Sequence, residues 1–121
     1  MTDEVNMNNV VRNITQVVED FNSTNDHHPE GLLIMGNTLT SNMFFLEKYR
    51  NNAHTAYEAT IYSLRNQGEK VNAATNTANV KHPELYMLRR LIEASERVHI
   101  QISVQLKWLH AELLSGGTIN G

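Results

Sequence analysis

Cysteine is absent from the 121 residues of this chain. A disulfide framework, thiolate chemistry and a zinc site built on sulfur are therefore excluded. Aromatic residues make up 7% of the sequence and charged residues 19%, while the apolar fraction is 40%. Because asparagine, threonine and serine fill the remainder, we expect a modest core whose burial is shared with a partner.

Long apolar runs are also missing, since none approaches the ~18 residues that a membrane span requires. No charged-then-apolar leader pattern opens the chain, and we therefore expect a cytoplasmic protein without membrane contact. The formal net charge is −3, with six acids and one base in residues 1–30 and seven acids and nine bases in the rest. Neither part has the basicity typical of nucleic-acid binders, so a nucleic-acid partner is not expected.

Proline occurs only twice, at Pro29 and Pro83, and both positions suit the first turn of a helix. Apolar residues recur at steps of three and four along most of the chain, which is the spacing of one helix face. This periodicity predicts helices over residues 3–22, 29–67 and 83–115. We expect an all-α fold: one helical-bundle domain over residues 1–121, with a long antiparallel helical hairpin.

Four short segments predict where the helices are interrupted. Gly36-Asn37-Thr38 predicts a break near 36–38 in the second helix, which would make a bundle of four helices instead of three. Gly68 predicts the end of this helix, and Gly116-Gly117 predicts the end of the last one. The polar stretch 69–82 has no periodicity and is interpreted as a long loop.

The second and third predicted helices each have an apolar seam along one face, and polar residues interrupt both seams. With the hairpin turn centred on this loop, facing residue numbers add to about 150, and Arg50 lies opposite His99. The predicted polar level supplies most of the candidate binding residues: Arg50, His54, Glu58, Glu96 and His99. The simplest interpretation is a buried polar layer that fixes helix register, in which Arg50 pairs with Glu96 and His99 with Ser95.

Large apolar residues flank the seams and extend the list of candidate partner-binding residues. Phe44, Phe45 and Tyr49 lie beside the seam of the second predicted helix, and Trp108 lies beside the seam of the third. Such flanks are typical of a surface that another chain covers, which predicts a homo-oligomer. The alternative is that they cover the first helix within a monomer.

Two alternatives give the polar level a chemical role. The Glu96-x-x-His99 spacing places both side chains on one helix face, as in carboxylate-bridged di-metal bundles, and His54 and Glu58 are the additional candidate ligands. Arg50-Asn51-Asn52-Ala53-His54 resembles the Arg-polar-x-x-x-His motif of the HEPN ribonucleases, small all-α proteins that pair two motifs across a dimer. The resemblance implies RNA cleavage by Arg50, His54 and His99, but it covers five residues and has three residues between Arg and His where that family keeps four to six.

We expect a non-enzymatic interaction or assembly protein that binds itself and another protein, without a cofactor. A small ligand such as a nucleotide at a helical or intersubunit surface stays open. Arg89, Glu93 and Arg97 are spaced to pair with one another at i, i+4, which favours a solvated charged face. The asparagine-rich, cysteine-free composition is common in small proteins of phages and mobile elements, including inhibitors of host defence, and this origin is a further expectation.

Overall fold

A computed structural model describes residues 2–120 of the protein, with side chains described over 6–114. Four helices and no strand occur in this part of the chain: α1 (Thr2–Asn22), α2 (Pro29–Asn66), α3 (Val71–Lys81) and α4 (Pro83–Asn120). The all-α prediction is confirmed. Within the described residues, no helix combines the length and the apolar character needed to cross a lipid bilayer.

The core lies where α1, α2 and α4 pack together, and it is built from the predicted apolar seams. Its fully buried large apolar side chains come from all three helices: Ile14, Leu32, Leu39, Leu46, Leu88 and Ile102. The β-branched residues of α1, such as Val10 and Val17, are buried in the same cluster. This packing compensates for their weak intrinsic helix propensity, and α1 ends at the predicted residue.

The predicted break near 36–38 is wrong, because α2 is one continuous helix. Thr40 donates its hydroxyl hydrogen to the carbonyl of Gly36 one turn earlier, and Asn42 donates to the carbonyl of Thr38. These side chains therefore bond back to carbonyls one turn earlier in the same helix, as polar side chains do inside a continuous helix. Leu32 and Leu39, both fully buried, hold the segment on either side of the glycine.

Gly68 ends α2 as predicted, and its backbone explains why. Its φ of +95° lies in the left-handed region, which glycine adopts without a steric penalty. The amides of Gly68 and Glu69 donate to the carbonyls of Arg65 and Leu64, the two reversed hydrogen bonds of a Schellman motif. The chain thus reverses within residues 67–70.

The prediction of a loop over 69–82 is also wrong, since most of it forms α3. Ala74 and Ala78 are both fully buried, and α3 packs against α2. Two alanines four residues apart give a narrow apolar face with high helix propensity, which a periodicity of large residues does not reveal. His82 separates α3 from α4 with φ −125° and ψ 60°, because the residue before Pro83 is disfavoured in a helical conformation.

The last helix is longer than predicted. α4 continues through Gly116-Gly117 to Asn120, so the predicted end near 115 is wrong. Glycine permits a helix to end in the left-handed conformation but does not impose that conformation.

Candidate functional site

Four pairs of residues show how α2 faces residues 82–102, the part of the chain that runs back along it. The facing pairs are Gly36 with Ile102, Thr40 with His99, His54 with Arg89, and Thr60 with His82. Positions advance along α2 as they recede along α4, so the two segments are antiparallel. The residue numbers of each pair add to between 138 and 143.

The predicted level of Arg50 opposite His99 is therefore wrong. It assumed a turn centred on a loop over 69–82, whereas the chain turns at 67–70 and α3 already runs back along α2. His99 faces Thr40 instead. The difference of ten residues along α2 corresponds to about 15 Å of helix.

Arg50 and its predicted partners lie in three different environments. The side chain of Arg50 is half-buried, and its Nε is buried without a hydrogen-bond partner. Ser95 is fully buried and donates to the carbonyl of Leu91 at 2.6 Å, while Glu96 is exposed. The predicted pairings of Arg50 with Glu96 and of His99 with Ser95 are wrong.

Histidines make three of the polar contacts between α2 and residues 82–102. The hydroxyl groups of Thr40 and Thr60 each donate to a carbonyl four residues earlier in α2. Each hydroxyl oxygen then accepts from a histidine Nε2, that of His99 at 3.4 Å and that of His82 at 2.7 Å. These contacts join the helices at two separate levels, and sequence analysis identified His99 but missed His82.

His54 makes the third contact and joins two charged residues. Arg89 donates from Nη2 to Nδ1 of His54 at 3.1 Å, so Nδ1 is the nitrogen that carries no hydrogen. The opposite nitrogen, Nε2, lies 3.4 Å from a carboxylate oxygen of Glu58. His54 and Glu58 are therefore together as predicted, and Arg89 is the partner that sequence analysis missed.

Neither chemical alternative is assembled within the described chain. Within it, no group of three or more histidine, aspartate or glutamate side chains is arranged to hold a metal ion. His99 lies at the level of Thr40, fourteen residues or about 21 Å of helix from His54. The set of Arg50, His54 and His99 that the ribonuclease resemblance implies is thus not brought together in one chain.

A cleft of about 280 Å³ opens where α3 meets α4. One wall comes from α2 and the other from both sides of the His82 break, and the lining residues are Tyr57, Asn79, His82, Leu85, Tyr86 and Arg89. The sequence signal for this cleft is the His82-Pro83 dipeptide, because a residue before proline tends to leave the helix. Taken by itself, Pro83 predicts only a helix start.

The outer side of α4 carries a strip of exposed apolar residues at i, i+4 and i+8. Ile100 is 62% exposed, Val104 47% and Trp108 68%. We call these three residues the outer strip. Of these three, only Trp108 is a predicted contact residue, because Ile100 and Val104 lie outside the core seam of the last helix.

Two other predicted contact residues lie on α2. Phe45 is 45% exposed and packs edge-on against its neighbour Phe44, with ring centroids 5.5 Å apart. Tyr49 is half-buried and packs against the core. Tyr49 therefore contributes to the fold, whereas Phe45 presents about half of its surface to solvent.

The charged face of α4 is not self-paired. Arg89, Glu93 and Arg97 are exposed, and no Arg or Lys side chain in the described residues lies within ion-pair distance of a carboxylate. The two ion-pair contacts in the described residues both join a carboxylate to a histidine. The predicted i, i+4 pairing along this face is therefore wrong, and neither arginine has a carboxylate within ion-pair distance in the described residues.

Comparison of the chain with protein-family models, with curated proteins and with solved structures finds no match in any of the three.

Proposed function

We propose that the protein is a non-enzymatic helical assembly protein that associates with a second copy of itself through the outer strip. The observation that carries this proposal is the apolar character of α4 on both sides of one segment. Val98 and Ile102 are buried in the core, while Ile100 and Trp108 on the opposite side are more than 60% exposed. Exposed apolar residues grouped on one side of a helix typically mark an interaction surface, and here polar residues such as Arg97 and Lys107 border them.

The outer strip is self-complementary in an antiparallel arrangement. A two-fold axis at Val104 pairs Ile100 of each copy with Trp108 of the other, so each large ring meets a branched aliphatic side chain. The end of α4 also has room for a second chain. With facing numbers near 140, α2 begins level with residue 111, and α4 extends to Asn120 beyond it by about 13 Å.

Charge complementarity favours the same orientation. In the antiparallel pair, Arg97 lies level with residue 111 of the other copy, which is the level at which α2 begins. The first turn of α2 carries exposed Glu30, and Asp26 in the preceding linker is exposed as well. The attraction between Arg97 and this acidic end acts at long range, because α2 packs on the side of α4 that faces away from the outer strip, and it favours the antiparallel orientation.

Single-cysteine variants test this arrangement cleanly, because the chain has no cysteine of its own. Val104→Cys lies on the proposed axis, so mild oxidation is expected to yield a disulfide-linked dimer. Glu93→Cys is the control on the same side of α4. The two copies of position 93 would lie about 33 Å apart along the antiparallel helices, so this variant is expected to stay monomeric under oxidation.

Three outcomes of this experiment contradict the proposal. Equal cross-linking of both variants indicates a parallel pair or random collision. The absence of cross-linking at Val104→Cys, while the protein is dimeric in solution, places the interface elsewhere. A monomer in solution, with the outer strip covered only when a different protein is added, replaces self-association with hetero-association.

A further inference from the structure

We propose that the cleft at the α3–α4 junction binds a small aromatic anion, a single ring system that carries one carboxylate or phosphate group. The cleft lies at the far end of α4 from the outer strip, and this inference does not depend on self-association. Residues from α2, α3 and α4 line it, so a ligand there contacts all three helices.

Arg89 supplies the anion-binding group. Its one hydrogen bond in the described structure goes to Nδ1 of His54, a nitrogen without a negative charge. A guanidinium has five N–H donors, so most of them remain for a ligand at the edge of the cleft. No carboxylate in the described residues lies within ion-pair distance of Arg89, and its link to Glu58 runs through His54. Such a group favours a carboxylate or a phosphate, which it can contact with two parallel hydrogen bonds.

The rest of the lining favours a flat, apolar body for the ligand. Leu85 is buried at 4% exposure, and Tyr57 and Tyr86 supply two aromatic rings. Tyr86 is 69% exposed, a large fraction for an aromatic side chain beside a cleft. Aromatic rings in offset or edge-to-face contact stabilise a bound ring beyond simple burial. Asn79 adds an exposed amide, which can both donate and accept.

The neighbouring groups determine how the ligand lies. His82 is held by Thr60 through Nε2, and its Nδ1 lies 3.6 Å from a carboxylate oxygen of Glu84. The ring of His82 is therefore a fixed wall with both nitrogens facing protein groups. Because the carboxylate of Glu84 repels an anion, the charged end of the ligand lies toward Arg89 and its ring lies toward the tyrosines.

The size of the cleft limits the ligand. Sites for drug-sized molecules typically occupy ~300–1,000 Å³, and this cleft is about 280 Å³. One ring system with one anionic group fits this volume, whereas a dinucleotide does not. Because Arg89 can bind either a carboxylate or a phosphate, the titration below includes one probe of each kind.

The test is titration of the full-length protein by isothermal calorimetry with four probes. Indole-3-acetate joins one aromatic ring system to a carboxylate, and adenosine monophosphate joins one to a phosphate through a ribose. Adenosine lacks the phosphate, and inorganic phosphate lacks the ring. We expect at least one of the first two to bind at least tenfold more tightly than either of the last two. Indole-3-acetate alone indicates a carboxylate ligand, and adenosine monophosphate alone indicates a phosphate ligand. Equal binding of all four, or of none up to millimolar concentration, overturns the proposal.

Matched variants assign the binding to this cleft. Arg89→Gln is expected to weaken the binding about ten- to a hundredfold, the usual effect of losing hydrogen bonds to a charged group. Arg12→Gln, an exposed arginine on α1, removes the same charge and is expected to leave the affinity unchanged. Tyr86→Ala is expected to weaken binding severalfold, while Tyr62→Ala, a tyrosine 71% exposed elsewhere, does not.

A further variant covers the case in which Arg89→Gln loosens the helices. His54→Ala removes the same contact between α2 and α4 but retains the arginine, so it is expected to bind the probe within about threefold of the parent protein. If His54→Ala loses binding as completely as Arg89→Gln, the arginine acts through the fold and the proposal is wrong. The same conclusion follows if Arg12→Gln and Arg89→Gln weaken binding equally.

Discussion

Truncation of Leu46 tests the way in which α2 faces the core. Leu46 is fully buried in the core cluster of α1, α2 and α4, whereas its neighbour Phe45 is 45% exposed. Leu46→Ala removes three carbons at ~0.8 kcal/mol each, and the cavity left behind raises the loss of unfolding free energy to about 3–4 kcal/mol. This is a large share of the ~5–15 kcal/mol typical of a folded domain.

Phe45→Ala is the matched control, because it deletes a larger side chain one position away. Since about half of Phe45 is already in water, its truncation is expected to lower the free energy of unfolding by no more than ~1.5 kcal/mol. Urea denaturation of both variants, followed by circular dichroism at 222 nm, measures the difference. If Leu46→Ala destabilises the protein no more than Phe45→Ala does, the assignment of the core face of α2 is refuted.

Further substitutions test the turn, α3 and the break before α4, each by the same urea denaturation. Gly68→Ala is expected to lower stability by about 1–2 kcal/mol because of its positive φ, whereas Gly31→Ala, with open space around its Cβ inside a helix, is expected to raise it by up to ~1 kcal/mol. If Gly68→Ala proved more stable than Gly31→Ala, the left-handed conformation of Gly68 at the turn would be contradicted. Ala78→Asp buries an unpaired carboxylate and is expected to cost about 3 kcal/mol or more; a neutral result would mean that α3 does not pack on α2. Thr60→Val removes the oxygen that accepts from His82 and is expected to cost ~1–3 kcal/mol, and no change would exclude this contact.

The helices that carry large apolar residues could be predicted from the sequence. In α1, α2 and α4 the spacing of residues such as Ile14, Leu39 and Leu88 matches the buried face, because burying a large side chain stabilises a helix against the core. Pro29 and Pro83 correctly marked two helix starts, since a proline at N1 loses no helical hydrogen bond.

The arrangement of the helices could not be predicted, because it depends on one short segment. α3 packs with Ala74 and Ala78, whose small side chains leave a weak signal in a polar sequence. Missing that helix moved the turn from 67–70 to the middle of 69–82. Because every facing pair is counted from the turn, all of them shift by the same number of residues when the turn is misplaced. The predicted position of Arg50 opposite His99 is therefore wrong by about three turns of helix.

The candidate sites differ from the predicted ones for the same reason. His54 and Glu58 could be placed together, because their i, i+4 spacing on one helix does not depend on how the helices pair. Arg89 and His82 contact α2 only in the observed register, and no pattern in the sequence around them indicates these contacts. The outer strip was missed in part because Ile100 and Val104 have the same spacing as core residues and lie on the opposite side of the helix.

The solution mass, measured by size-exclusion chromatography with light scattering across a range of micromolar concentrations, tests the proposed self-association most directly. The proposal predicts twice the 13.8 kDa of one chain. It also predicts a return to the single-chain mass in Val104→Asp, since an unpaired carboxylate on the two-fold axis meets its own copy. The mass of one chain at every concentration, or an unchanged dimer in Val104→Asp, would contradict it.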